Sequence, residues 1–124
     1  LPENPTKSVE DLQKGLSEIF NKDISVIISD SMTRPYRSGI TNFAISSSNL
    51  PSLLDLKGKK DMYGNTLRGT EVAIADELAA AAGLLMGQSK ESKPVILIKG
   101  FIKGKNDINN AFDLIVNENE DLYR

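Results

Sequence analysis

"VIISDSMTRPYRSG", residues 26–39, is the stretch on which the reading of this chain turns. An apolar, β-branched run ends at Ser29 and Asp30, and Arg34 and Arg37 then bracket Pro35 and Tyr36. Residues 24–29 read as a short strand buried on both faces, because such strands are continuous rather than alternating. Asp30 then stands at the carboxyl end of that strand, where α/β folds open their ligand crevices. A carboxylate at Asp30 and a hydroxyl at Ser31 suit a hard divalent cation carrying nucleotide phosphates. Arg34 and Arg37 add planar forks that match phosphate or carboxylate oxygens. The plainer reading has Asp30 capping a turn and one arginine paired with it. Spacing alone leaves both readings open.

Composition narrows the chemistry around that stretch. The chain has 124 residues with 40% hydrophobic and 26% charged positions, the profile of one ordinary globular domain. A formal charge of -2 and a pI near 5.2 speak against nucleic acid as a partner. No apolar run reaches the roughly 20 residues of a membrane span, and no basic-then-apolar signal opens the chain. Cysteine and histidine are both absent, which excludes disulfides, thiolate nucleophiles and every histidine-dependent triad or metal site. Oxygen ligands alone favour Mg²⁺ or Mn²⁺ over Zn²⁺.

Outward from residues 26–39 the pattern is mixed α/β: a small mixed sheet flanked by helices. Ser8 with Asp11 approximates a capping box, and Val9, Leu12, Leu16, Ile19 and Phe20 recur at helical spacing. Ile40, Phe43 and Ile45 predict a second strand. "KGKKDMYGNTLRG", 57–69, reads as a loop or hairpin. Thr70 to Met86 is an alanine-rich helix with Gly87 at its C-cap and Glu71, Asp76 and Glu77 toward its first half. "PVILIK", 94–99, predicts another buried strand, and "NDINNAFDLIV" a closing helix before a polar tail. "GFIKGK", 100–105, fails as a phosphate-binding P-loop: its spacing is one residue short, and Asn106 stands where Ser or Thr belongs.

Three blocks carry more weight than any short motif: "SDSMTRPYRSGITNFAI", "LLDLKGKKDMYGNTLRGTEVAIADELAAAAGLLMGQ" and "PVILIKGF". In this order they resemble the coenzyme F-420:L-glutamate ligase family. The resemblance covers nearly the whole chain but corresponds to the C-terminal half of the family's ligase domain. With Leu1 in place of an initiator methionine, it implies that residues 1–124 are a single domain or fragment of a longer, cytoplasmic, homodimeric ligase.

The resemblance implies a GTP-dependent ligase that joins L-glutamate to the deazaflavin coenzyme precursor through an acyl phosphate, with Mn²⁺ or Mg²⁺ and K⁺ taking part. It places a divalent-metal ligand at Asp30 and a second cation at Ser31, with Gln88 close to the metal. It places GTP contacts at Met86, Gly87, Gln88, Ser89, Lys90 and Glu91, and substrate or phosphate contacts at Arg34 and Arg37. Glu71 and Asp76 match family positions, although the helix dipole alone favours acids there. Thr33 replaces a glycine usual in the family, and threonine tolerates neither positive φ nor close backbone approach. Because contacts from the absent half are missing, the chain alone is expected to be inactive. Two alternatives stand beside this reading: a non-catalytic ligand-binding or oligomerisation domain, and an amide ligase acting on another phosphorylated acid.

Overall fold

The computed structural model describes residues 1–102, 104 and 109–123. It is mixed α/β, with two helices and two small antiparallel sheets, as befits part of a larger fold. In chain order the elements are α1 (Pro5–Phe20), β1 (Val26–Arg34), β2 (Arg37–Ser48), β3 (Leu54–Asp55), β4 (Glu71–Val72) and α2 (Ile74–Met86), followed by a 3-10 turn at Ala111–Leu114.

The first helix starts one turn earlier than the Ser8 box predicts. Asn4 is the cap: its side chain accepts from the Lys7 amide at 2.9 Å, and Pro5 takes the first helical position, where its missing N–H costs nothing. The Ser8 amide donates to the Asn4 carbonyl, so Ser8 lies inside the helix. Asn21 ends it in the left-handed region at φ 47°, which asparagine tolerates better than most residues. Of the apolar stripe only Val9 is fully buried, while Ile19 and Phe20 remain exposed.

Residues 26–48 form one long hairpin rather than a strand ending at Asp30. β1 runs on through Asp30 to Arg34, and Asp30 pairs with Phe43 in the middle of the ladder. The expected strand-end crevice is therefore absent here; antiparallel partners leave no topological switch point beside Asp30. Pro35 and Tyr36 make the turn. Proline fixes φ at about -65° and Tyr36 adopts φ 58°, the signs of a type II turn. Thr33 keeps negative φ; positive φ falls on Tyr36 and Gly39, so threonine sits in this strand without the strain expected of it. Two irregularities bend the ribbon, one at Ile28/Ser29 opposite Ile45 and one at Met32/Arg34 opposite Ser38, Gly39 and Ile40.

α2 begins at Ile74, four residues later than the sequence pattern suggests. Thr70 to Val72 are instead drawn into extended pairing: Leu54 and Asp55 oppose Val72 and Glu71, and the Leu56 amide donates to the Thr70 carbonyl. The helix has no side-chain cap; the Ala75 amide is satisfied by the Ser52 carbonyl at 3.2 Å. Its alanines have a packing purpose. Ala75, Ala79 and Gly83 recur every fourth position, so one face is smooth enough to lie close against β2. A Cβ at Gly83 would sit 2.5 Å from Asn42 Oδ1, which no real packing allows.

The region from 57 to 69 is a hairpin loop, as its glycines suggest. Lys60 bridges Thr66, and the tip is tied by Asp61, whose Oδ1 accepts from the Tyr63 and Asn65 amides at 2.8 Å each. The strand predicted over 94–99 does not form. A strand needs a neighbouring ladder, and among the described residues none pairs with this run. The closing helix shrinks to Ala111–Leu114, capped by Asn110; residues 106–108 of that expectation, and Lys103 and Lys105 of "GFIKGK", lie outside the described residues. Asn109 does the tying instead. Its Oδ1 accepts from the Ser52 and Leu53 amides, and its Nδ2 donates to the Leu53 carbonyl.

Candidate functional site

The β1–β2 hairpin and the end of α2 hold the residues that the sequence singles out. Successive side chains in a strand point to opposite faces. The register of Ser29 to Met32 with Ala44 to Thr41 is regular, so Asp30 and Ser31 face opposite ways. Ser31 opposes Asn42. Asn42 is buried, abuts Gly83 of α2, and accepts from Gln88 Nε2 at 2.8 Å. Ser31 and Gln88 therefore converge on one neighbourhood through Asn42. Asp30 lies on the reverse face with Phe43, Met32 and Thr41, half-buried, its Oδ1 accepting from the Ser31 amide at 2.8 Å.

This arrangement does not bring the expected metal ligands together as one set. A divalent cation of the Mg²⁺ or Mn²⁺ type takes about six oxygen ligands. Among the described residues no three acidic side chains stand close enough to hold an ion. Asp30 is a suitable single hard ligand, and Ser31 cannot join it on the same face.

Arg34 and Arg37 face each other across the turn. Arg34 Nη2 reaches the Ser38 carbonyl only at 3.5 Å, and Nη1 is buried with no partner among the described residues. A guanidinium N–H left unsatisfied is costly, and this one has a donor to offer to an oxygen. The turn's Tyr36 meets Tyr123 from the tail, ring centroids 5.8 Å apart.

Beyond α2 the chain curls on itself. Gly87 takes φ 74°, and a Cβ there would run into the Glu91 side chain. The Ser89 amide donates to Glu91 Oε2 at 2.9 Å. That bond, with help from the Glu91 and Lys90 amides, holds the Glu91 carboxyl below its ordinary value. The loop's own amides are thus arrayed around an anion. Met86 and Gly87 also line an open cavity of 460 Å³ with Ser92, Lys93 and Pro94. Of the residues expected to contact nucleotide, the structure puts Gln88 on Asn42 and Glu91 on the loop backbone.

The two acids of the alanine-rich segment separate. Glu71 lies in β4 and pairs with Lys57 at 2.7 Å on the surface. Asp76 is no simple dipole charge: its Oδ1 accepts from the Ala44 amide at 2.9 Å, beside the irregularity at Ile45, and so joins α2 to β2. Sequence reasoning missed Asn42 and Asn109. Asn42 had one signal, a polar residue at an inward phase of the apolar "ITNFAIS" strand. Asn109 had none, because its partners lie 56 and 57 residues away.

The family model described as "F420-0:Gamma-glutamyl ligase" matches residues 1–100. The chain belongs to this family. A protein of Methanococcus maripaludis named coenzyme F420:L-glutamate ligase is 46% identical over all of this chain and 50% of its own length. Ligases of the same name from Methanocaldococcus jannaschii and Archaeoglobus fulgidus are 44% and 35% identical, over 100% and 99% of this chain and 49% of their own lengths. The chain thus spans about half the length of the ligases it matches. The matched residues 1–100 contain the hairpin, α2, the 87–91 curl and the apolar run at 94–99.

Proposed function

We propose that this chain is part of a ligase that forms an amide bond between L-glutamate and the deazaflavin coenzyme F-420 precursor. The observation that carries this reading is the family match through residues 1–100, together with relatives of that printed name. GTP is proposed as the energy source, activating the acceptor carboxylate as an acyl phosphate that the amine of glutamate attacks. Such chemistry asks for positioning and charge neutralisation, and a chain without histidine can contribute to both.

On this reading Arg34 holds an anionic oxygen of substrate or nucleotide, supported by its unsatisfied Nη1, and Arg37 adds a second cation across the turn. The amides of residues 89–91 face an anion already, which supports a phosphate-contacting part for 86–91. A divalent cation, Mn²⁺ or Mg²⁺, would take Asp30 as one ligand and require the others from polypeptide beyond the described residues. K⁺ and a homodimeric assembly are further parts of the proposal.

The test replaces the matching half of the Methanococcus maripaludis ligase with this chain and follows glutamylation of the deazaflavin acceptor by mass spectrometry. Product formed with GTP and Mn²⁺, and lost without GTP, is the expected result. A folded chimera that makes no product while the parent ligase turns over would overturn the assignment.

A further inference from the structure

The structure leaves one apolar segment without a place. Val95, Leu97 and Ile102 are 83%, 75% and 89% exposed, and Ile98 and Phe101 are nearly half exposed. Single exposed apolar residues are ordinary, but five within eight positions form a contiguous patch of the kind that marks an interaction site. The composition is that of a strand covered on both faces, with no polar alternation to face water. Yet among the described residues no strand pairs with residues 94–99.

The two ends of the segment border cavities on the body of the protein. Pro94 lines the open cavity together with Met86 and Gly87. Phe101 and Ile102 line a second cavity, of 230 Å³, with Pro51, Leu54 and Ile74. Between these two cavities the segment has no hydrogen-bonding strand neighbour among the described residues. Close by in sequence, Leu84 and Leu85 of α2 are 86% and 60% exposed and extend the apolar surface.

We propose that residues 94–99 are a β-strand completed by a strand from the half of the ligase that this chain does not span. Three observations select that occupant. Residues 94–100 lie inside the family match, so the apolar run belongs to the ligase and not to an appended tail. Relatives that match this chain end to end carry as much polypeptide again, 50% of their length. A run without polar alternation also needs cover on two faces as well as an edge, which a whole protein half supplies and a single added strand does not. The inference rests on family membership and not on the proposed reaction.

The test compares amide hydrogen exchange in residues 1–124 alone with the same residues joined to the unmatched half of the Methanococcus maripaludis ligase. Amides of 95–99 are expected to exchange freely in the chain alone and at least about tenfold more slowly in the joined protein. Replacing Val95 and Leu97 by lysine (V95K, L97K) should remove that protection and leave α1 and α2 protected, since neither side chain is part of the present core. Equal exchange in both proteins would overturn the proposal. So would concentration-dependent protection in the chain alone, which would make a second copy the occupant. Exchange needs no turnover, so an inactive chimera with protected 95–99 amides leaves the strand proposal standing while the functional reading falls.

Discussion

Asp30 and Ser31 are neighbours in sequence whose side chains point to opposite faces. Adjacent positions of a regular ladder send one side chain to each face, and the pair that looked like a chelate is split by the pleat. Their substitution should therefore differ sharply. In the ligase containing this chain, Asp30→Asn is expected to lower affinity for the proposed divalent cation at least about tenfold, because a neutral amide is a poor ligand for a hard ion. Ser31→Ala should leave that affinity unchanged, read as the Mn²⁺ dependence of turnover. Asp61 offers a second test, on pH. The Asn65 side-chain amide, aided by the Asn65, Tyr63 and Gly64 backbone amides, holds its carboxyl below the ordinary value of 3.8. A depressed carboxyl contributes its full stabilisation above that ordinary value and loses it as pH falls through the folded one. The tip at 61–65 should accordingly stay closed above about pH 4 and open in stronger acid, seen as faster exchange of the Tyr63 and Asn65 amides once corrected for intrinsic pH dependence. In Asp61→Asn the same correction should leave no pH step.

At the scale of elements, long-range hydrogen bonds decided what local pattern left open. The helices were legible: the spacing of Val9, Leu12, Leu16 and Ile19, and the alanine run closed by Gly87, needed only neighbours in sequence. Their starting points were not, because Asn4 with Pro5 outcompeted Ser8, and β3 claimed Glu71 and Val72. β1 was legible as apolar residues, but its continuation through polar Asp30 to Arg34 depended on β2 standing opposite. The run at 94–99 carried the right strand signal with no partner to realise it. The tie between the β3 region and the tail shows the same dependence. Asn109 satisfies two backbone amides of Ser52 and Leu53 and is itself tied to the Leu53 carbonyl. Asn109→Ala should cost about 2–3 kcal/mol, since part-buried amides left unpaired lose their full solvation. Chemical denaturation is the measurement, and an unchanged midpoint would mean that water replaces the side chain.

For the whole molecule, the balance of cover and exposure is the governing fact. Among the described residues the buried apolar side chains are Val9, Leu50, Pro51, Ala75, Ala79 and Ala111, while Ile19, Phe20, Leu84, Leu85 and much of the 95–102 run stand open. A core this small accounts for how the candidate site is laid out. Asp30, Arg34 and the 87–91 curl each present one group, and none is surrounded by the partners that catalysis requires. Groups that act as a unit lose far more than their share when separated. Residues 1–124 alone, given GTP, Mn²⁺, glutamate and the deazaflavin acceptor, are therefore expected to yield no glutamylated product by mass spectrometry. Turnover in that mixture would place a complete active site within this chain. What the sequence conveyed about function came from three long blocks; what it could not convey was which face each residue would take.

The meeting of Tyr36 with Tyr123 has an optical consequence. The chain has no tryptophan, so its ultraviolet emission comes from three tyrosines alone. Two of them sit 5.8 Å apart at the hairpin tip, and the third, Tyr63, is exposed on a different loop. Rings so close exchange excitation before they emit, and their light leaves depolarised. The protein thus carries an intrinsic gauge of whether its tail lies on the arginine-bearing turn. Any ligand or neighbour that lifts the tail would raise the polarisation of tyrosine emission, with no dye attached and no residue changed.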